Sequence, residues 1–142
     1  QAWRLVSYQF VHSGYFHIFS NVLIALMYGA PIELVHGHAK LLVVYNLGVT
    51  LGALTCAFSD PARAVVGASG GVYTLIGLHT ADVCLNFDAM QSGLRRVVRT
   101  ALCLLVPVTD LLVYVLVVKS TDTSYSAHIG GWIGGFLLGC AV

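Results

Sequence analysis

Five apolar stretches separated by short polar segments run along the chain. They cover residues 16–35, 41–58, 69–87, 100–118 and 128–142. A helix needs about 20 apolar residues to cross the hydrocarbon core of a bilayer, because its backbone polar groups must be satisfied within the segment. Residues 1–15 instead mix aromatic and polar side chains, as is typical of a segment at the membrane surface. The pattern predicts an all-α polytopic transmembrane helical bundle of five spans.

The composition fits this prediction and excludes other classes of protein. Of the 142 residues, 58% are hydrophobic and 9% are charged, whereas a soluble domain carries roughly 25% charged residues. A disordered chain would need low hydrophobicity and high net charge. The net charge of +1 argues against nucleic acid as a partner. We therefore expect one domain, residues 1–142, that is surrounded by the lipid bilayer.

Polar residues within the apolar stretches are candidates for function, because such groups are costly in a bilayer and usually face a bundle interior or a cavity. His17 and Asn21 lie near the start of the first stretch. They are four residues apart and so share one face of a helix. The pair could serve a site or could hydrogen-bond to neighbouring helices, and the spacing fits both alternatives.

A serine between small residues begins the third stretch, in the sequence Gly67-Ala-Ser69-Gly-Gly71. The G-x-S-x-G spacing is that of the nucleophile elbow of hydrolases, although the pattern is short. The first N–H groups of a helix have no partners within it, so they suit a developing oxyanion. A tight contact between two helices would explain the same small residues.

A histidine begins the fifth stretch and shares its helix face with three glycines. Gly131, Gly135 and Gly139 follow His128 at helical spacing, and small residues on one face let membrane helices approach closely. If the partner helix begins at Ser69, the serine and the histidine come within reach of a hydrogen bond. A histidine placed above a glycine face for packing alone is the alternative.

Together these residues would support one chemistry. A serine becomes a nucleophile when a base takes its proton, and a neutral histidine is the usual base. The tetrahedral intermediate needs hydrogen-bond donors, which His17, Asn21 and the N–H of Ser69 could supply. The H-E-x-x-H pattern of a zinc protease is absent from the sequence. No metal and no organic cofactor is implied.

These motifs closely resemble those of the rhomboid family of intramembrane serine proteases, in the same order and spacing. The resemblance lies in Trp3-Arg4, His17-x-x-x-Asn21, Gly67-Ala-Ser69-Gly and Ala127-His128 with its following glycines. It is greatest to the animal secretase-type branch. The usual rhomboid core has six spans, so the resemblance implies a fragment that lacks the first span and the end of the last.

The resemblance implies a role for each of these residues. Ser69 would be the nucleophile and His128 the general base, and the two would work as a dyad. Tyr73 would stack beside the histidine. The oxyanion-stabilising pair would be His17 and Asn21, and the supporting residues would be Gly67 and His12.

The resemblance also implies a class of substrate and a location. Substrates would be single-pass membrane proteins, including growth-factor precursors, in the Golgi or plasma membrane of a eukaryote. Rhomboid-like proteins without catalysis instead bind and traffic membrane clients, and they typically lose the serine or the histidine. This chain keeps both residues, which favours the enzyme. A small channel or transporter is a third alternative, but the repeated halves expected of a transporter are not evident.

Three of the six acidic residues need separate consideration. Asp82 lies one turn from His79, so we expect the two to pair locally. Asp110 lies within the fourth stretch and has no evident partner. Asp110 or Asp122 could be a third catalytic residue, an alternative that the dyad disfavours.

Overall fold

The described part of the chain forms a helical bundle. The computed structural model describes residues 2–62, 64–116 and 124–141. Its helices are α1 (Arg4–Ser7), α2 (Tyr15–His36), α3 (His38–Ser59), α4 (Ser69–Leu85), α5 (Gly93–Leu116) and α6 (Tyr125–Ala141), and a 3₁₀ turn (Tyr8–Phe10) follows α1. Each apolar stretch corresponds to one helix, and the predicted all-α bundle is confirmed. Among these helices α2, α3 and α5 are long and apolar enough to cross a bilayer.

Four of the long helices begin earlier than the apolar pattern predicts: α2 by one residue, α3 and α6 by three, and α5 by seven. α5 begins at Gly93 instead of residue 100, and α6 begins at Tyr125 instead of residue 128. The additional turns of α5 contain three arginines, which a search for apolar residues leaves out. The hydroxyl of Ser124, just before α6, accepts a hydrogen bond from the N–H of Ala127, as the capping residue of a helix does.

Glycines in the left-handed region separate the first helices. Gly14 has a φ of 87° and precedes α2, while Gly37 has a φ of 81° and separates α2 from α3. Other residues adopt such angles only at a cost in free energy. The predicted polar connector at residues 36–40 is therefore reduced to a single glycine between two helices.

Helix α4 lies at the centre of the bundle. Twelve of its 17 residues are buried, and it contacts α6 most extensively as well as α2, α3 and α5. A helix that is apolar or small on every face is suited to such a position. Helix α5, by contrast, buries only Cys103 among its residues. Its exposed leucines and valines form an apolar surface of the kind that lipid covers.

The contact between α4 and α6 depends on glycine. A Cβ atom at Gly131 would lie 2.2 Å from the carbonyl oxygen of Gly70, and one at Gly135 would lie 2.0 Å from that of Thr74. The two backbones therefore touch without intervening side chains. The glycine face of α6 therefore packs closely on another helix, as predicted, and that helix is the one that begins with the candidate serine.

A partly exposed ion pair connects α5 to α4. The guanidinium of Arg99 donates to the carboxylate of Asp82, and the side-chain amide of Asn86 donates to the same carboxylate at 2.7 Å. Asp82 thus pairs with α5 and not with His79, whose Nε2 atom lies 3.4 Å from the carbonyl oxygen of Arg99. The predicted local pair is wrong because spacing along one helix does not reveal a partner on another.

We expect Gly135→Ala to destabilise the protein by about 1–3 kcal/mol, because the new methyl group must displace the backbone of α4. The measurement is the midpoint of thermal unfolding of the full-length protein in detergent micelles. Gly93→Ala is the matched control, since a Cβ atom there meets nothing within 4 Å and alanine favours a helix. Equal destabilisation by both substitutions would contradict the close contact of α4 and α6.

Candidate active site

A cavity of about 350 Å³ lies where the N-terminal ends of α2, α4 and α6 meet, beside α5. Its lining comes from four helices and three connecting segments. The lining residues are Ser13, His17, Ser20, Asn21, Ile24, Val66, Ser69, Val72, Tyr73, Val106, Asp110, Ser124 and His128. Five residues that the sequence singled out for the site are therefore brought to one cavity, although they are spread over more than 100 positions of the chain.

Ser69 is the first residue of α4, and the backbone before it is held from two sides. Gly67 has a φ of 98°, and a Cβ atom there would lie 2.6 Å from the imidazole of His17. This position requires glycine both for its backbone angle and for lack of space. The N–H of Ala68 donates to Nε2 of His12 at 3.3 Å. Gly67 and His12 thus both act on the segment that leads to the serine.

Tyr8 supports the same segment, a role that the sequence does not reveal. Its carbonyl oxygen accepts a hydrogen bond from the N–H of Gly67 at 3.3 Å, and its hydroxyl donates to the carbonyl of Val49 at 2.8 Å. Burial raises the pKa of the Tyr8 phenol above its ordinary value, so the hydroxyl remains a neutral donor. In the sequence, the only indication for Tyr8 is that residues 1–15 are rich in aromatic side chains, and this does not reveal that its hydroxyl bonds to α3.

His128 is buried near the start of α6. Its imidazole ring is fixed by a stacking contact on one face and by a polar contact at one nitrogen. The ring of Tyr73 stacks on the imidazole, with centroids 4.2 Å apart and planes 12° apart. Nδ1 of His128 lies 2.6 Å from Oδ2 of Asp110. Among the residues that the structure describes, none hydrogen-bonds to Nε2 of this histidine. Nε2 is thus the nitrogen available for proton transfer.

The structure shows the partners of Asp110, which the sequence does not reveal. Its Oδ2 atom accepts a hydrogen bond from the hydroxyl of Tyr73 at 2.7 Å and also lies against His128. These contacts join α5 to α4 and α6, and no spacing within one helix could have revealed them. Asp122, the other carboxylate considered as a third catalytic residue, lies outside the described residues.

His17 and Asn21 both line the cavity, on one face of α2. Nδ1 of His17 accepts a hydrogen bond from the N–H of Ser13 at 3.2 Å, so the neutral ring carries its proton on Nε2 and can donate. The amide of Asn21 donates to the carbonyl of His17 at 2.7 Å and has a second N–H. These bonds are local to α2 and the turn before it. Each side chain therefore has a donor left for a ligand.

Ser69 and His128 line the same cavity, but no hydrogen bond joins their side chains in the described part of the chain. Catalytic hydrogen bonds often tighten only when substrate is bound. The fold provides the shared cavity, because the glycine contact between α4 and α6 holds their N-terminal ends side by side.

Comparison with known proteins identifies the family. A sequence profile of the rhomboid domain matches residues 1–142. The chain belongs to the rhomboid family. Rhomboid-related protein 2 of Mus musculus is 35% identical over 147 residues, which cover 100% of this chain and 48% of the relative. The family that the motifs resemble is thus confirmed, and this rhomboid domain is an integral membrane protein.

Two further relatives differ in what their names say about activity. Rhomboid-like protease 3 of Toxoplasma gondii is 29% identical over 140 residues, covering 99% of this chain and 51% of the relative. Inactive rhomboid-related protein 2 of Caenorhabditis elegans is 33% identical over 144 residues, covering 96% and 39%. The chain spans about half the length of these rhomboid proteins or less. The family therefore contains both active and inactive members, so family membership alone does not indicate catalysis. The residues that line the cavity must be considered for that question.

We expect Gly67→Ala to destabilise this rhomboid domain more than Gly37→Ala. Both positions have positive φ, so each substitution costs about 1–2 kcal/mol in backbone strain. Only the methyl group at Gly67 would also collide with His17, since a Cβ atom at Gly37 meets nothing within 4 Å. The measurement is the difference between the two unfolding midpoints in micelles. Equal midpoints would contradict the packing of the His17 imidazole against Gly67.

Proposed function

We propose that this rhomboid domain is an intramembrane serine endopeptidase, with Ser69 as the nucleophile and His128 as the general base. The observation that carries the proposal is the setting of His128. One face of the ring is stacked and Nδ1 is bonded, so Nε2 is left for a cavity that also contains a serine at a helix N-terminus. A histidine that served packing alone would not require a bonded Nδ1 and an unbonded Nε2 beside a cavity that a serine also lines.

The reaction follows from these two side chains. Oγ of Ser69 bonds to the carbonyl carbon of a substrate peptide as its proton passes to Nε2 of His128. The C–N bond then breaks, and the leaving amine takes the proton from His128. Water attacks the resulting ester and gives a proton to His128. The ester C–O bond breaks, and the proton returns to Oγ.

The negative charge of each tetrahedral intermediate needs donors, for which His17 and Asn21 are the candidates. Each has one N–H that its local hydrogen bonds do not use, and both side chains line the cavity with Ser69. Donors fixed before the reaction stabilise the developing charge without reorganisation.

The substrates of this proposal are single-pass membrane proteins, among them growth-factor precursors, in the Golgi or plasma membrane. A peptide bond within a helix is protected by the hydrogen bonds of its neighbours. A substrate must therefore unwind locally before Ser69 can attack. Substrates with small or helix-breaking residues near the end of their transmembrane helix suit this requirement.

We expect a fluorophosphonate probe to label the full-length protein in membranes, and labelling to disappear in Ser69→Ala and in His128→Ala. The first substitution removes the nucleophile and the second removes its base. Ser59→Ala is the matched control, because this exposed hydroxyl donates only to the carbonyl of Thr55 on its own helix. Gel fluorescence after labelling measures the result, and the control should label as strongly as the wild type.

Cleavage of a co-expressed growth-factor precursor provides the second measurement. We expect a Ser69-dependent fragment, and Ser69→Ala should reduce its amount to background. A well-folded wild type that binds the precursor, gives no fragment and is not labelled would refute the protease. That result would identify the chain as a rhomboid of the kind that binds membrane clients without cutting them.

A further inference from the structure

The family resemblance implies a dyad, yet a carboxylate contacts the histidine of this chain. Oδ2 of Asp110 lies 2.6 Å from Nδ1 of His128 and accepts a hydrogen bond from the Tyr73 hydroxyl at 2.7 Å. The side chain of Asp110 is also part of the cavity lining. Its position on the far side of the imidazole from Nε2 is that of the acid in a three-residue catalytic set.

The contact determines which nitrogen of the neutral imidazole carries the proton. An ionised carboxylate only accepts hydrogen bonds, so Nδ1 of His128 must donate to Asp110. The lone pair of a neutral imidazole is then on Nε2, where a base for the serine requires it. The Tyr73 hydroxyl contributes a second donor to the same oxygen, while its ring fixes the plane of the imidazole.

We infer that Asp110 is a positioning residue that holds His128 in the Nδ1–H tautomer and stabilises the imidazolium formed when the serine gives up its proton. Asp110 itself takes no proton in this step and touches no substrate. Its effect on catalysis rests on the proposed function, whereas its effect on the tautomer does not.

The first experiment compares rates of fluorophosphonate labelling of the full-length protein. Asp110→Asn keeps the size of the side chain but loses its charge, and its amide can donate to Nδ1, which moves the histidine proton to Nε2. We expect labelling to slow by about 10²- to 10⁴-fold, as in the corresponding change of a serine protease triad. Asp110→Glu keeps a carboxylate and should recover part of the rate.

Thr109→Val is the matched control for this series. Thr109 is adjacent to Asp110, is exposed and donates only to the carbonyl of Leu105 on its own helix, so the variant should label at the wild-type rate. If Asp110 had a purely structural role, Asp110→Asn would label faster than Asp110→Glu, because asparagine fits the space better than the longer glutamate. Labelling of Asp110→Asn at the wild-type rate would overturn the inference.

The second experiment determines the tautomer without requiring activity. Nitrogen-15 NMR of histidine-labelled full-length Ser69→Ala protein in micelles should show a protonated Nδ1 for His128, which a His128→Gln variant would assign. This signature should be lost when Asp110→Asn is added. An unprotonated Nδ1 with Asp110 intact would overturn the inference. A protonated Nδ1 in a protein whose wild type is never labelled would support the inference and count against the proposed protease.

Discussion

The bundle depends on two helix backbones that touch. Where α4 meets α6, glycines replace side chains. The hydroxyl of Thr74 lies 2.8 Å from the carbonyl oxygen of Gly70 on its own helix and 3.1 Å from that of Gly131 across the contact, so its one proton is shared between the two. Apolar side chains gain little by leaving lipid for protein, so close packing and hydrogen bonds drive the association of helices in a bilayer. Because α4 is buried on nearly every face, its contact with α6 sets the position around which the other helices pack.

The same contact creates the candidate site. Ser69 and His128 lie near the N-terminal ends of α4 and α6, so bringing the two backbones together brings these side chains to one cavity. Helix α2 contributes its own N-terminal end with His17 and Asn21. The cavity is therefore formed where helix ends with unpaired N–H groups converge, a setting that favours negative charge.

The sequence predicts much of this arrangement, and its failures share one cause. The apolar stretches locate the five long helices, and residues at helical spacing, such as Gly131 and Gly135, indicate which faces touch. Arg99, which pairs with Asp82, and the partners of Asp110 lie on other helices. Spacing along one helix therefore does not indicate the ion pair of Asp82 and leaves Asp110 unexplained. The role of Tyr8 is hidden for the same reason, since its hydroxyl reaches the backbone of α3.

Helix α5 illustrates how few contacts can orient a membrane helix. Arg99, Cys103, Val106 and Asp110 recur at spacings that share one face, and the two charged residues bond to α4 and α6 about 16 Å apart along the axis. Turning the helix by one residue would separate Arg99 from Asp82 and Asp110 from His128. Asp110, which lies within the apolar stretch, would then be left in hydrocarbon without a partner. Most of the surface of α5 thus faces lipid, as in a peripheral helix, while two polar contacts fix its rotation about its own axis, as close packing does for a helix in the core.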